Sequence, residues 1–400
     1  MTEKAILALH GGEPVRSKYL SYGKQLLDDA DIEAVIQVLR SDFLTTGPVV
    51  ERFESAIAEY TGAKYAVAFS NGTAALHAAC FAAGIKAGDE VITTPMTFAA
   101  SANCVLYMGG TPVFADIDPV TYNIDPKSVE MLITEKTKAI IPVDFTGQPA
   151  DLDDFIQMAR DKGIIVIEDA AHALGASYNG RKVGAVSDMT MFSFHPVKPI
   201  TTGEGGVIAT NNYKYFEKLQ QFRTHGITRN PAMLIERHGP WYYEMQELGY
   251  NYRMTELQAA LGLSQMNKLD KFIIRRRQIA DLYNDAFRSI KQVTLPHQKK
   301  GNESGWHLYI LRLKLEHLSA VRREIFEAFQ AENIGVNVHY LPVYWHPYYK
   351  KLGYAKGLCP ESEHLYETII TLPLFPAMTE GDVEDVISAV QKVISYYSKG

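Results

Sequence analysis

The sequence predicts an α/β protein in which a large domain built on a mainly parallel sheet is followed by a small α+β domain. The first observation is that short apolar segments alternate with helical segments over residues 64–175. This alternation is typical of a parallel sheet covered by helices on both faces. The second is a change of pattern near residue 265. We therefore predict a large domain over residues 1–265 and a small domain over residues 266–400.

The elements of the large domain can be assigned in order along the chain. Residues 26–40 have helical spacing, residues 41–47 form a loop, and a helix begins near Pro48. Strands are then predicted in KYAVAFS, DEVITTP, TPVFADID, KAIIPVDFTG and IIVIEDAAHALG, and helices in AALHAACFAAG, MTFAASANCVLYMGG and DLDDFIQMARDKG.

The C-terminal part has a different order of elements. A long helical pattern covers residues 264–290, a strand is predicted within residues 306–315, and a helix within residues 318–333. A final amphipathic helix is predicted over residues 380–398. One strand among several helices favours a separate α+β unit.

Composition restricts the class of protein. The 400 residues are 46% hydrophobic and 22% charged, which is typical of a globular protein with a sizeable core. The net charge of −6 and the absence of a basic block give no support for nucleic-acid binding. No run approaches the roughly 18 apolar residues of a membrane span. Residues 1–15 lack the layout of a signal peptide.

The cysteines indicate a reducing environment. Cys80, Cys104 and Cys359 are far apart and odd in number. This pattern argues against a disulfide framework or a bound metal and favours a cytoplasmic location.

Ligands of parallel sheets bind beyond the carboxyl ends of the strands, so the loops there hold the candidate residues. Residues 70–74 (SNGTA) lie between a strand and a helix. Small residues at a helix N-terminus suit a phosphate, although an ordinary turn with a capped helix explains the pattern too. Asp169 follows another strand and could pair with a protonated ring nitrogen or could cap a helix. His172 alone is more typical of a structural histidine than of a ligand-binding one.

A single lysine stands in an apolar stretch at residues 192–198 (FSFHPVK), before a Gly-rich segment. Desolvation lowers the pKa of a lysine and favours imine formation by Lys198, although a surface lysine remains the alternative. Ser193 could donate a hydrogen bond to a phosphate. Asn251, in GYNYRM, could contact an anion or could simply precede a helix.

Five segments together resemble one family. FSNGTAALHAA, VITTPMTFAASAN, VIEDAAHALGA, FSFHPVKPITTGEGG and YNYRMTELQAALG resemble the motifs of the DegT/DnrJ/EryC1/StrS aminotransferases. They occur in the family's order and near its spacing, over about residues 20–400.

The resemblance implies the fold of type I pyridoxal 5'-phosphate (PLP)-dependent transferases, with a seven-stranded sheet and a homodimer with shared active sites. Lys198 resembles the lysine that binds PLP and moves protons, and Asp169 resembles the partner of the pyridine nitrogen. Related sugar dehydrases carry histidine in place of this lysine, so transamination is expected. The other implied cofactor contacts are Thr73, Ala74 and Ser193 at the phosphate, Phe98 on the ring face, His172 near the phenolic oxygen, and Asn251 from the neighbouring subunit.

Further strings, including FRTHGITR and VHYLPVYWHPYY, resemble a subgroup that acts in pseudaminic acid synthesis. The resemblance implies transfer from glutamate to C4 of a UDP-linked 2-acetamido-2,6-dideoxy-4-keto-hexose, giving UDP-4-amino-4,6-dideoxy-N-acetyl-β-L-altrosamine and 2-oxoglutarate. The candidate substrate contacts are Thr45, Thr46, Gly47, His339 and Tyr340, with Arg223, His225 and Arg229 for the diphosphate. The aromatic residues 343–349 could stack on a base or could pack in the core.

Three other functions compete with this one. A sister aminotransferase would use another 4-keto or a 3-keto sugar with the same lysine chemistry. A regulatory protein with a PLP fold is disfavoured by the intact Lys198, Asp169 and Ser193. A dehydrogenase is disfavoured because no G-x-G-x-x-G follows the first strand.

Overall fold

The structure is a computed structural model that describes residues 6–399. Residues 1–5, which belong to the stretch in which no signal peptide was expected, lie outside the described residues. The outermost ends of the two predicted domains, at residues 1 and 400, also lie outside them.

The large sheet has seven strands in the order β1-β9-β8-β5-β4-β2-β3. Its strands are β1 (Tyr65–Phe69), β2 (Glu90–Thr93), β3 (Thr111–Phe114), β4 (Thr137–Ile141), β5 (Ile165–Asp169), β8 (Met189–Ser193) and β9 (Gly206–Thr210). All neighbours are parallel except β9, which runs antiparallel to β1 and to β8. The predicted mainly parallel, seven-stranded sheet is confirmed.

The remaining strands are short or belong to other sheets. They are β6 (Ser177–Tyr178), β7 (Arg181–Lys182), β10 (Ile227–Thr228), β11 (Glu244–Met245), β12 (Val293–Thr294), β13 (Asn302–Glu303), β14 (Tyr309–Leu313) and β15 (Ile369–Leu372). Of these, β12, β14 and β15 form the antiparallel sheet of the C-terminal part.

Helices cover the sheets. They are α1 (Asp29–Leu39), α2 (Pro48–Thr61), α3 (Gly72–Ala82), α4 (Ala100–Tyr107), α5 (Pro126–Leu132), α6 (Leu152–Arg160), α7 (Tyr213–Phe222), α8 (Glu256–Met266), α9 (Leu269–Phe287), α10 (Arg322–Ala331), α11 (Pro347–Lys351), α12 (Pro360–Thr368) and α13 (Glu380–Tyr397). Helix α4 begins at Ala100, so Met96–Ala99 form a loop that the sequence pattern assigned to the helix.

A buried carboxylate fixes the start of α2. Glu256, which is fully buried at the first turn of α8, accepts hydrogen bonds from the backbone amides of Gly47, Val49 and Val50. The first amides of a helix have no intrahelical partner, and a negative charge there is favourable. Glu256 therefore satisfies the N-terminus of α2 from a distant part of the chain.

One core of buried side chains lies in the large domain, and a second core surrounds the small antiparallel sheet. Helices α9, α10 and α13 supply most of its buried side chains, and Leu7 and Leu20 from the N-terminal segment join them. Glu332 strengthens this attachment by accepting the amides of Ala8 and Val15 at 2.9 Å each.

Helix α9 is buried in both cores. Phe272 and Ile273 pack with the large-domain helices, whereas Tyr283 and Phe287 pack in the second core. The predicted single helix over residues 264–290 is wrong, because α8 ends at Met266 and α9 begins at Leu269. The predicted boundary between residues 265 and 266 falls just before α9 and stays a prediction.

Within residues 6–399, no helix is long and apolar enough to cross a membrane. The same residues contain no cluster of three or more histidine, cysteine or carboxylate side chains arranged to hold a metal ion.

Candidate active site

A cavity of about 770 Å³ lies where β5 and β8 end and α3 begins. Side chains from the C-terminal part also line it. The sequence-predicted residues that it brings together are Thr73, Ala74, Phe98, Asp169, His172, Ser193, Lys198, His339 and Tyr340. The structure thus gathers the strand-end loops at one edge of the sheet, as expected for this topology.

Lys198 lies in a closed loop between β8 and β9. The carbonyl of Phe194 accepts the amide of Thr202 at 3.0 Å and the hydroxyl of Thr201 at 3.1 Å, which ties the two ends of the loop together. Burial in the cavity wall lowers the pKa of Lys198 to about 8, and the nearby carboxylate of Asp169 opposes this change. Roughly a tenth of the amine is therefore neutral and nucleophilic at pH 7, far more than for an exposed lysine.

Asp169 is buried at the end of β5 and faces the same cavity. Its Oδ2 accepts the hydroxyl of Ser101 at 2.6 Å, and its Oδ1 accepts the amide of Ala171 at 3.1 Å. Burial raises the pKa of Asp169, while these two hydrogen bonds and the charge of Lys198 oppose the rise. The carboxylate is thus held in one orientation by two donors.

The N-terminus of α3 forms the opposite end of the site. Asn71 caps the helix by accepting the amide of Ala74 at 2.8 Å, and Gly72 and Thr73 belong to its first turn. A Cβ atom on Gly72 would lie 3.2 Å from Ser193 Oγ, so glycine lets the serine approach closely. First-turn amides together with a hydroxyl suit a phosphate.

His172 stands between Asp169 and the C-terminal part. Its Nε2 lies 3.2 Å from Tyr340 Oη, and its buried Nδ1 has no partner among residues 6–399. Burial lowers the pKa of His172 well below its usual range, and the charge of Lys198 adds to this. The ring is therefore neutral and retains a free nitrogen for a ligand.

Two more buried histidines complete this side. His339 Nδ1 lies 2.8 Å from the hydroxyl of Thr371, and burial lowers the pKa of His339 to about 3. The ring centroid of His307 lies 4.4 Å from that of His172. The backbone amide of His307 is fixed by the carbonyl of Thr146 at 2.9 Å. These neutral rings surround Lys198 without adding positive charge.

These residues fit PLP. A buried amine and a buried carboxylate face one cavity, a helix N-terminus with Ser193 offers a phosphate site, and His172 has an unpaired nitrogen. Phe98 lines the cavity while its side chain is 63% exposed, so its ring is free to cover a flat ligand. The amine, the carboxylate, the phosphate site and the histidine nitrogen therefore match the aldehyde, the ring nitrogen, the phosphate and the phenolic oxygen of PLP.

The loop of Thr45, Thr46 and Gly47 does not line this cavity. Thr45 forms a backbone bridge with Thr255, and a Cβ on Gly47 would lie 2.6 Å from Phe43 Cβ. Local packing therefore accounts for the glycine, and substrate binding by these three residues stays a prediction.

Arg223 has a structural partner that the sequence did not reveal. Its guanidinium pairs with Glu54 and donates to the carbonyl of Ala68 at 2.8 Å, and Glu54 also accepts the amide of Ala68 at 2.8 Å. This ion pair gives Arg223 a structural role, and its placement at a substrate diphosphate stays a prediction.

Three other predicted contacts lie outside the cavity. His225 and Arg229 are exposed, and the guanidinium of Arg229 stacks over the ring of Tyr243 at 5.7 Å. Asn251 is exposed and forms a backbone bridge with Thr224, while its neighbour Tyr252 lines the cavity. Their roles stay predictions.

The aromatic segment at residues 343–349 mainly packs. Tyr344 and Tyr349 are buried, and their hydroxyls donate to Glu363 and Asn103 at 2.7 Å each. Tyr348 remains exposed. The packing alternative therefore describes the two buried rings.

Sequence reasoning missed several lining residues. Ser101, Thr97, Tyr22 and His307 all line the cavity. Ser101 lies three residues after Phe98, at the start of α4, and its position near a strand end was an available signal. No pattern in the sequence marked His307, because it reaches the site from a different part of the chain.

Comparisons with known proteins identify the family of the chain. Residues 25–391 match the model of the DegT/DnrJ/EryC1/StrS aminotransferase family. The spore coat polysaccharide biosynthesis protein SpsC of Bacillus subtilis is 41% identical over 381 residues, which cover 95% of this chain and 98% of that protein.

Solved structures are similar over nearly the whole chain. PseC of Helicobacter pylori, described as an aminotransferase involved in the biosynthesis of pseudoaminic acid, has a TM-score of 0.88 and 33% identity, covering 95% of this chain and all of that one. The PLP form of the putative sugar aminotransferase Spr1654 from Streptococcus pneumoniae has a TM-score of 0.88 and 31% identity, covering 94% and 99%.

The fold and the site define a PLP-dependent aminotransferase. The chain belongs to the DegT/DnrJ/EryC1/StrS aminotransferase family.

Proposed function

We propose that this aminotransferase moves an amino group from glutamate to C4 of UDP-linked 2-acetamido-2,6-dideoxy-4-keto-hexose, and that it serves pseudaminic acid synthesis. The observation that carries the chemistry is that Lys198 and Asp169 face the same cavity and influence each other's charge. The acceptor sugar is supported by the similarity to PseC and by the sequence strings at residues 222–229 and 338–349.

We infer the cofactor contacts from the residues that line the cavity. The N-terminus of α3 and the hydroxyl of Ser193 would hold the phosphate, Asp169 would keep the ring nitrogen protonated, and His172 would face the phenolic oxygen. PLP, when bound, supplies an aldehyde that reacts with amines and a ring that takes up the electron pair released at the substrate carbon. Phe98, which lines the cavity, would cover one face of the bound ring.

Lys198 performs the proton transfers. Because burial lowers its pKa to about 8, its amine can accept a proton from the α-carbon of glutamate and later deliver one to the sugar carbon. The Phe194 carbonyl closes the loop that carries Lys198 and restricts the movement of its backbone.

Amino-donor exchange and acceptor specificity can be tested separately. Purified enzyme loaded with PLP should convert to the pyridoxamine form on addition of glutamate, as its absorption spectrum reports. UDP-linked 4-keto sugars should restore the original spectrum, whereas the matched 3-keto sugars and the same sugars on dTDP should not. Failure of every keto sugar to restore the spectrum after a normal glutamate reaction would overturn the acceptor but not the aminotransferase chemistry.

A sister sugar aminotransferase is the second candidate. It is favoured by the 41% identity to a spore coat polysaccharide protein, which exceeds the 33% identity to PseC. Mass spectrometry of the product formed from a panel of nucleotide-linked 4-keto and 3-keto sugars distinguishes the two candidates.

We also propose a cytoplasmic homodimer with shared active sites. Large apolar side chains are exposed between residues 230 and 250, with Ile235 at 85%, Trp241 at 71% and Leu248 at 73%. An exposed apolar patch of this kind is typical of an interface. Asn251 follows this segment, which supports a contact to the phosphate of the neighbouring subunit. Light scattering should give twice the mass of the chain, and a monomer that retains full activity would contradict the proposal.

A further inference from the structure

Two buried carboxyl groups lie behind the cavity face of the sheet. Asp144 follows β4, Glu168 precedes Asp169 in β5, and both are fully buried. Val143 pairs with Asp169, and these two residues line the cavity. Because successive side chains of a strand alternate between its faces, Asp144 and Glu168 point to the opposite face. Nothing in the proposed chemistry uses them.

Each carboxyl group has one satisfied oxygen and one unsatisfied oxygen. Glu168 Oε2 accepts the hydroxyls of Thr190 at 2.7 Å and Ser187 at 3.1 Å, and Asp144 Oδ1 accepts the amide of Ala150 at 2.9 Å. Asp144 Oδ2 and Glu168 Oε1 have no N–H or hydroxyl donor among the described residues. The pairing of Val143 with Asp169 brings the side chains of Asp144 and Glu168 together on this face, and their interaction raises the pKa of Asp144.

Two ionised carboxylates in contact would be unstable here. Each would lose its hydration, and each would repel the other and the nearby Asp169. One proton between the unsatisfied oxygens removes the repulsion within the pair and one of the two buried charges, since an acid donates where a carboxylate accepts. Burial, together with the charge of Glu168, raises the pKa of Asp144 well above its usual range. Burial raises the pKa of Glu168 as well, but the hydroxyls of Thr190 and Ser187 oppose this rise and favour its ionised form.

We propose that Asp144 carries the proton of a carboxylic acid–carboxylate pair with Glu168, and that this pair positions Asp169 toward the cofactor. The backbone connects the pair to the site, because the amide of Asp144 donates to the carbonyl of Asp169 at 3.0 Å. The amide of Asp169 in turn donates to Pro142 at 2.8 Å. Asp144 and Glu168 are positioning residues, and the inference rests on the proposed placement of the cofactor beside Asp169.

Infrared spectra of the full-length protein without cofactor test the protonation. The native protein at neutral pH should show the carbonyl stretch of a protonated carboxyl group, which shifts in D2O. Asp144→Asn should remove this band, and Glu168→Gln should shift it, because the acceptor becomes a neutral amide. Asp169→Asn should leave it in place, as should the exposed control Asp153→Asn. Absence of the band from the native protein, or its persistence in Asp144→Asn, would overturn the inference.

Affinity for PLP tests the positioning role. Asparagine at position 144 can donate to Glu168 and accept from Ala150 as the acid does, so Asp144→Asn should keep the native dissociation constant. Asp144→Ala loses both hydrogen bonds and should raise that constant about tenfold. Should the alanine variant not fold, Asp144→Ser takes its place, and the infrared result stands independently. Equal affinities for all variants would refute positioning.

Neither measurement involves a sugar or an amino donor. A wrong acceptor assignment would therefore leave both expected results unchanged, whereas a cofactor that binds away from Asp169 would leave the infrared bands intact and abolish the difference in PLP affinity.

Discussion

The hydroxyl of Ser101 donates a 2.6 Å hydrogen bond to Oδ2 of Asp169, and this bond joins the first turn of α4 to the end of β5. The bond lowers the pKa of Asp169 against the effect of burial, which raises it. Ser101 thus helps keep ionised the carboxylate that faces the cofactor ring.

Ser101→Ala should shift the acid limb of the pH profile. Without the donor, the pKa of Asp169 rises further, so the carboxylate ionises only at higher pH and the acid limb of kcat/KM moves upward. At fixed neutral pH we expect kcat to fall about tenfold, as for loss of a hydrogen bond to a charged group. Ser55→Ala, which changes an exposed serine on α2, is the control. An unchanged acid limb would contradict the assigned role.

The lowered pKa of Lys198 predicts the pH dependence of cofactor attachment. The amine is protonated below about pH 8 and neutral above it, so covalent attachment of PLP to the protein should accelerate with pH and level off above this value. Stopped-flow absorbance measures the rate. A midpoint near the ordinary lysine pKa of 10.5 would show that burial does not act on this amine.

Lys198→Ala should leave no covalent cofactor and reduce transamination by roughly four orders of magnitude, the upper range for a general acid–base group. Borohydride reduction followed by mass spectrometry detects the attachment. The exposed Lys64 provides the matched control, and Lys64→Ala should retain both attachment and turnover.

Arg223→Ala should affect stability rather than substrate affinity. Its partly buried ion pair with Glu54 is broken and the glutamate is left without its cation, so the free energy of unfolding should fall by about 2 kcal/mol. Urea unfolding measures this change. KM for the nucleotide sugar should not change. A large rise in KM with unchanged stability would instead support the substrate role that the sequence predicts for Arg223.

Tyr340→Phe should release Nε2 of His172, which lies 3.2 Å from the tyrosine hydroxyl. A histidine free to turn holds the phenolic oxygen less well, so we expect a shifted absorption maximum of the bound cofactor and a fall in kcat of about fivefold. Tyr348→Phe, at an exposed position, should change neither quantity. An unchanged spectrum in Tyr340→Phe would show that Tyr340 does not influence the bound cofactor.

The sequence predicts the cavity best where a residue follows a strand. Asp169 and Ser193 end the parallel strands β5 and β8, Lys198 lies in the loop after β8, and a parallel sheet brings such strand ends to one edge. The regular alternation of strands and helices therefore carries enough information to place them together.

Long-range pairing explains what sequence reasoning missed. Arg223 meets Glu54, a residue 169 positions away, and His307 approaches His172 across the two parts of the chain. Neither relationship has a local pattern, since periodicity and turn residues describe only neighbours along the chain. The break between α8 and α9 was hidden for a different reason, because apolar spacing continues through Asn267 and Lys268.

Helix α9 connects the two cores of the protein, because its side chains pack in both. Arg276, in its middle, is buried and donates to the carbonyls of Trp306, His307 and Leu374. Because α9 packs in both cores, unfolding of either core removes contacts that stabilise the other. Calorimetry should accordingly record one cooperative unfolding transition. The large domain, which contains Lys198, should unfold at the same temperature as the C-terminal part, which contains His339.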